Sequence, residues 1–255
     1  MDFIVQKYSL LLEAVKRNGF TTTTFYDFLQ EEKQGKTLIL RHDVDRTPAN
    51  SLKTAQIEHD MGLQACYYFR THAGIFNEEI IAKIKALGHE IGYHYENLSD
   101  SHGDFDLAIK DFSENLEKFR KITEIKTMCM HGSPLSKFNN QELWRKYDFK
   151  DFGICGEPYF SLDFNHIGYI TDAGRKWNDE KVNFRDKVNT SMHFDISHTD
   201  DIISMLDSGK LPNQLMINIH PHNWAFSSAE WYKTYLWQGF KNTIKAILHT
   251  LDKRD

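Results

Sequence analysis

Apolar residues along this chain fall into two rhythms, and from Thr37 onward the two alternate. Ahead of that point, Ile4, Tyr8, Leu11, Leu12 and Val15 recur at helical spacing and predict an N-terminal helix over residues 1–30. Thr37–Arg41 is a short apolar run that reads as a buried strand. Thr47 as N-cap and Pro48 as first helical residue then open a helix that Gly62 can close. Ala65–Arg70 is an aromatic-rich second strand. Asn77, Glu78 and Glu79 begin a helix with Ile81, Ile84 and Leu87 inward and Gly88 as its stop. His89–Tyr95 is the third strand, and Phe105, Ile109, Phe112, Leu116 and Phe119 form an amphipathic helical face.

Thr127–Met130 is the fourth strand. From about Trp144 to Asn189 the apolar pieces are short and no long period survives, which predicts short strands with loops. A short helix runs from Thr199 through Leu206 and stops at Gly209. Gln214–Ile219 is again a strand. A capping box of Ser227 with Glu230 opens a final helix reaching about Leu251.

Repeated strand-then-helix order implies parallel strands with right-handed crossovers. The chain carries no low-complexity linker and no obvious repeat, so one α/β barrel-like domain over 1–255 is expected. In such folds the chemistry gathers at the carboxyl ends of the strands. Polar clusters fall there in this sequence: Arg41-His42-Asp43-Val44-Asp45, Gly92-Tyr93-His94-Tyr95-Glu96, Met130-His131-Gly132-Ser133-Pro134 and Ile219-His220-Pro221-His222. Asp43 and Asp45 are separated by one residue and so project to one side of a strand end. Two carboxylates held together there call for solvent, a metal ion or a basic partner. Acids and histidines recurring at strand ends point to a metal-assisted hydrolase.

The bulk numbers narrow the field. A net charge of −5 and a pI near 6.2, with no basic stretch, exclude a general nucleic-acid binder. Cys66, Cys129 and Cys155 are odd in number and widely spaced, which predicts reduced core thiols rather than a disulfide framework. The start of the chain lacks a basic region followed by a small-residue cleavage site, and no segment approaches the roughly 20 apolar residues of a membrane span. These features predict a cytoplasmic protein without a membrane span.

The ordered motifs resemble those of the polysaccharide deacetylase superfamily, also called NodB-homology or carbohydrate esterase family four. His42-Asp43-Val44-Asp45 resembles the first motif, and Gly88-His89-Glu90-Ile91-Gly92-Tyr93-His94 resembles the second closely. Met130-His131-Gly132-Ser133-Pro134 occupies the place of the third, and Ile217-Asn218-Ile219-His220 resembles the last. Asp172-Ala173-Gly174-Arg175-Lys176-Trp177 resembles the element that steadies the base. The resemblance spans about Thr37 to His222 and leans toward a divergent cytoplasmic branch associated with surface-polysaccharide genes.

The resemblance implies a distorted (β/α) barrel of about seven strands and a divalent cofactor, Zn²⁺ first, with Co²⁺ or Ni²⁺ as alternatives. It implies Asp43 as general base, His220 as general acid, Asp172 and Arg175 as orienting residues, and Asp45 and His94 as metal ligands. The implied reaction removes an acetyl or similar acyl group from an amino sugar or activated sugar intermediate, so the partner is a carbohydrate or sugar-nucleotide. A non-catalytic sugar-binding protein and a metal-dependent phosphoesterase stand as alternatives.

Two departures qualify the match. The second histidine of motif two falls at Leu98, so a third ligand must come from His131, which ends a neighbouring strand, or from Glu96, unless the metal site has been lost. The arginine of motif three is absent, leaving Arg175 or Arg41 as partners for Asp43. Elsewhere His89 reads as structural and Glu90 as solvent-facing, while Trp177 and Trp224 divide between a sugar subsite and core packing.

Overall fold

Seven parallel strands form one sheet among the described residues: β1 (Thr21–Thr23), β2 (Thr37–Val44), β3 (Cys66–Phe69), β4 (Glu90–Tyr95), β5 (Met128–Met130), β6 (Gly168–Thr171) and β7 (Gln214–Ile219). The computed structural model describes residues 1–31, 34–178, 186–237 and 239. Neighbours run β5-β4-β3-β2-β7-β6, with β1 joined to β2. The central strand β2 is buried at every position, as its continuous apolar run requires of a parallel strand covered on both faces. It pairs with β7 through Thr37–His42 on one edge. The other edge is shared end to end, by β1 against Thr37–Ile39 and by β3 against Arg41–Val44.

Helices α1 (Val5–Arg17), α2 (Phe25–Gln30), α3 (Pro48–Asp60), α4 (Glu78–Ala86), α5 (Asn97–Asp100), α6 (Phe105–Arg120), α7 (Pro158–Ser161) and α8 (Thr199–Asp207) connect or flank the strands. The N-terminal helix expected over 1–30 is corrected to α1, β1 and α2. Gly19 at φ +75° turns the chain, and the β-branched run Thr21-Thr22-Thr23 then pairs with β2. Among its described residues the Trp144–Asn189 stretch holds β6 and otherwise 3₁₀ turns and α7, not several strands. Thr47 does not cap α3 through its side chain; it takes a left-handed conformation, φ 49° and ψ 62°. The final helix covers 228–237, with Glu230 N–H donating to Ser227 Oγ at 3.2 Å; its expected continuation toward Leu251 lies largely outside the described residues.

Alternation along the strands builds two cores. Leu40, Val44, Tyr67, Phe69, Tyr93, Ile217 and Ile219 face outward and pack under α1, α3, α4 and α6. Ile39, Cys66, Tyr68, Cys129, Tyr169 and Met216 face inward and form a second cluster with Phe25 of α2. Cys129 on β5 and Tyr169 on β6 come from opposite ends of the strand order yet share that cluster, so the sheet curls into a distorted barrel. Gly92 makes the interior fit: a Cβ there would lie 2.3 Å from the Tyr68 ring. Among the described residues no helix is long and apolar enough to cross a membrane.

Candidate active site

The period of two along β2 puts Arg41, Asp43 and Asp45 on the inner face and His42 on the outer one. Arg41 donates from Nε to Asp43 Oδ1 at 2.9 Å and from Nη2 to Oδ2 at 2.6 Å, both side chains being almost fully buried. Asn218 Nδ2, from β7, donates to Asp43 Oδ2 at 3.1 Å. Burial alone would raise the Asp43 pKa, but Arg41, with His94 and His220 nearby, lowers it to about 2. His42, turned outward, instead meets the buried Glu58 at 2.7 Å.

Three donor atoms converge beside this pair. Asp45 Oδ1 lies 3.3 Å from His94 Nε2 and 3.6 Å from His131 Nε2, and the three ligand atoms all fall within 4.8 Å of one another. His94 donates from Nδ1 to the Cys129 carbonyl at 3.0 Å, and His131 from Nδ1 to Glu96 Oε2 at 2.7 Å. Each imidazole therefore turns its Nε2 toward Asp45. Asp45 Oδ1 is buried and accepts no hydrogen bond among the described residues. One carboxylate and two oriented imidazoles, with a carboxylate oxygen left wanting a partner, fit a divalent ion such as zinc. Asp43, His94 and Cys129 also cluster, but burial pushes the Cys129 thiol well above its ordinary value, which disfavours the thiolate a metal needs.

Glu96 sits behind His131. Its Oε1 accepts from Arg70 and lies 2.9 Å from His72 Nε2, and Ser133 Oγ donates to Oε2 at 3.0 Å. Glu96 thus orients His131 and falls outside the Asp45 set. Position 98 offers nothing to a metal: Leu98 is buried against Ala108 and Leu143.

His220 follows β7 directly. Its backbone N–H and its Nδ1 both donate to Asp172 Oδ1, at 2.9 and 2.6 Å, while Trp224 Nε1 donates to Asp172 Oδ2 at 2.8 Å. The His220 Nε2 edge is left facing Asp45 Oδ2 at 3.9 Å and Asp43 Oδ2 at 4.0 Å. Burial opposes charge on this ring, but Asp172, with Asp45 and Asp43, raises its pKa to about 9. Trp224 is fixed by rings of Phe3 at 5.2 Å, Tyr8 at 5.1 Å and Trp177 at 6.1 Å, so α1 and the segment ahead of it buttress the site.

Asp43, Asp45, His94, His131, Asp172 and His220 are thus brought together, and Arg175 is not. Arg175 lies with its guanidinium over Phe3 and Trp231 and donates to Thr234, so Arg41 is the partner of Asp43. Trp177 and Trp224 are core residues. Glu90 is buried, not solvent-facing: Tyr26 N–H donates to its Oε2 at 3.0 Å and Thr127 to its Oε1, and burial raises its pKa. His89 is structural, accepting from Ala65 N–H and facing the Ala55 carbonyl. Cys66 and Cys129 are buried free thiols, whereas Cys155 is exposed and no core residue.

The site opens into a cleft of about 670 Å³. Asn218 and Asp186 also border the site. Asn218 lies two residues before His220, so strand alternation alone would have placed it on the inner face. Asp186 accepts from Tyr159, Tyr169 and Thr171, and Asn218 Nδ2 bridges its Oδ2 and that of Asp43, each at 3.1 Å. No local pattern marks Asp186.

No family model and no curated protein match the sequence. Solved structures similar to this chain include a CE4 family pseudoenzyme from Bacillus anthracis, at 12% identity and TM-score 0.43, covering 83% of this chain and 62% of that one. This chain therefore spans less than two thirds of that protein's length. A family 4 carbohydrate esterase from Bacillus anthracis is similar at 14% identity and TM-score 0.41, covering 88% and 92% of the two chains. A Streptococcus mutans CE4 esterase is similar at 12% identity and TM-score 0.47, covering 91% and 89%.

Proposed function

We propose that this chain is a metal-dependent hydrolase that removes an acetyl or similar acyl group from the amine of an amino sugar or activated sugar intermediate. One observation carries the reading: Asp45, His94 and His131 offer a convergent ligand set, with the buried carboxylate of Asp43 and the anchored imidazole of His220 beside it.

Asp45, His94 and His131 would hold the ion. A divalent cation in such a set supplies a lowered pKa for water and polarisation of an amide oxygen. Asp43 is the group that takes the proton from the attacking water. Its two contacts to Arg41 fix the carboxylate and keep it ionised. His220 gives a proton to the departing amine nitrogen from Nε2. Asp172, by accepting from Nδ1, sets the ring so that Nε2 is the atom facing the cleft.

The test is release of free amine from a panel of N-acylated amino sugars, followed by mass spectrometry, with zinc-loaded protein and with Asp43→Asn and His220→Ala. Zinc-dependent release that drops about 10²-fold or more in each variant supports the assignment. Full zinc occupancy with no amine released from any acylated amino sugar sinks it.

A further inference from the structure

Among the described residues, the cationic side chains of the cleft gather on one wall. Strand order sets the geometry: the rim above β2, β3, β4 and β5 forms one wall, and the rim above β7 and β6 the other. Among the described residues, every lysine and arginine lining the cleft belongs to the first wall. Arg46 follows β2, Arg70 follows β3 and Lys137 lies in the segment after β5. The second wall contributes Ala173, Gly174, His220 and His222, with Asp186 at the floor.

The acids of the cleft already have partners within the protein or, for Asp45, a place in the candidate metal set. Asp43 is taken by Arg41, Asp45 faces His94 and His131, Glu96 is held by Arg70 and His131, and Asp100 lies 3.1 Å from His72. Asp186 accepts from Tyr159, Tyr169, Thr171 and Asn218. Two cations stand outside this pairing. Among the described residues Arg46 is exposed and has no ion pair or hydrogen bond, and Lys137 is exposed and rests only over the Phe138 ring at 5.2 Å.

The backbone around them is strained in the way functional rims are. Thr47, directly after Arg46, holds φ +49°, a costly conformation for a β-branched residue, and His102 and Ser133 in the same cleft hold +51° and +39°. The first turn of α3, one residue beyond Thr47, carries no acid and no side-chain cap, so no protein carboxylate there answers the Arg46 charge.

We infer that the acylated sugar carries a phosphate or diphosphate, and that this anion lies along the β2-to-β5 wall against Arg46 and Lys137. The inference rests on the hydrolase reading above, in which the amide sits over Asp45, His94 and His131 and the leaving amine faces His220 on the opposite wall. Guanidinium and ammonium groups left unpaired beside a cleft are matched by phosphate oxygens, which accept charge-assisted hydrogen bonds. A nucleoside diphosphate and a lipid diphosphate present the same anion, and the measurement separates them.

The test is calorimetric binding of an N-acetylhexosamine and of its 1-phosphate to the zinc-loaded protein, at low and at high salt. The phosphorylated sugar is expected to bind about tenfold or more tightly at low salt, with the gap shrinking as salt is added. In Arg46→Ala/Lys137→Ala, and in Arg46→Glu, the gap is expected to close, with circular dichroism checking the fold of each. Equal affinity for the two sugars overturns the inference. So does a gap that persists in the double variant, since the phosphate would then be held by the metal alone. Nucleoside-diphosphate and polyprenyl-diphosphate conjugates, the latter in detergent micelles, are compared in the same way; tighter binding of either over the neutral sugar supports the anion contact and identifies its source. Amine release is followed in parallel. A phosphate preference without amine release from any probe retires the hydrolase reading and leaves the anion contact standing.

Discussion

Arg41 and Asp43 form a two-pronged ion pair on one face of one strand, only two residues apart, at 2.9 and 2.6 Å. The strand thus supplies both a buried carboxylate and its counter-charge. Without Arg41 a nearly inaccessible Asp43 would keep one hydrogen bond, from Asn218, and the more distant imidazoles of His94 at 3.7 Å and His220 at 4.0 Å.

Removing that counter-charge is therefore expected to be expensive. Arg41→Met should lower the free energy of unfolding by about 3 kcal/mol, because it strips a buried carboxylate of its hydrogen-bonded cation. Arg41→Met/Asp43→Asn should recover most of the loss. Urea unfolding of the three proteins checks this, and an undiminished loss in the double variant would point to packing rather than charge.

Metal content tests the ligand set without reference to turnover. Wild-type protein equilibrated with Zn²⁺ should retain about one equivalent, and His94→Ala and His131→Ala should each lose it. Glu96→Gln should keep zinc but with an affinity about 10–100-fold lower, because Glu96 fixes the Nδ1 proton of His131 from behind. Competition with a chromophoric chelator gives these affinities. Complete loss in Glu96→Gln would move Glu96 into the ligand set.

Gly92 tests the barrel interior. A methyl group there meets Tyr68 Cε1 at 2.3 Å and the Thr127 carbonyl at 3.1 Å. Gly92→Ala should cost about 1–3 kcal/mol through overpacking, and Gly92→Ala/Tyr68→Leu should recover part of it. Thermal unfolding of both variants decides between this contact and a purely conformational need for glycine.

Most of the strand framework could be read from the chain, because each inner strand is a short apolar run bounded by turn residues. Gln214–Ile219 has the bounds its pattern predicts, and β2 runs three residues past its apolar run. That extension changes the chemistry: Asp43 lies inside the strand, so its neighbour two back, Arg41, shares its face. Glu90 departs from its pattern because a polar residue in a strand usually marks a wet face, whereas a curled parallel sheet has two buried ones. The positions of Arg175 and Asp186 are not legible in the sequence for a common reason. Both lie in the stretch without period, where position is set by contacts to Phe3, Trp231, Tyr159 and Asn218 from distant parts of the chain.

Glu157 gives a pH signature separate from the ligand set. It is fully buried and accepts from the backbone N–H groups of Met130 at 3.1 Å, Tyr159 at 2.7 Å and Phe160 at 3.2 Å. Burial raises its pKa from 4.5 to about 7 against the pull of those donors. A carboxyl with a raised value in the folded state binds its proton more tightly there than in the unfolded chain. Its contribution to stability is thus present below pH 4.5 and is lost as pH rises toward 7. Glu157→Gln cannot titrate, so its melting temperature relative to wild type should climb between pH 5 and pH 8. A difference that stays flat over that window would mean the group ionises normally.

Asp172 tests the far side of the site through a chain of contacts rather than a single one. Its Oδ1 accepts from His220 and its Oδ2 from Trp224, which is itself locked among Phe3, Tyr8 and Trp177. Asp172→Asn preserves shape, but its amide keeps the Trp224 contact only by turning its oxygen to Trp224 Nε1 and its NH₂ to His220 Nδ1. With NH₂ presented, the ring is driven to the tautomer protonated on Nε2, and the imidazolium form loses its counter-charge. On the proposed hydrolysis, kcat should fall about 10²-fold or more with KM little changed, since the substrate touches His220 and not Asp172. His220→Ala should show a comparable kcat, and the Asp172→Asn/His220→Ala double variant should be no worse than His220→Ala alone. Additive losses in the double variant would show that Asp172 acts on the reaction by a route other than His220.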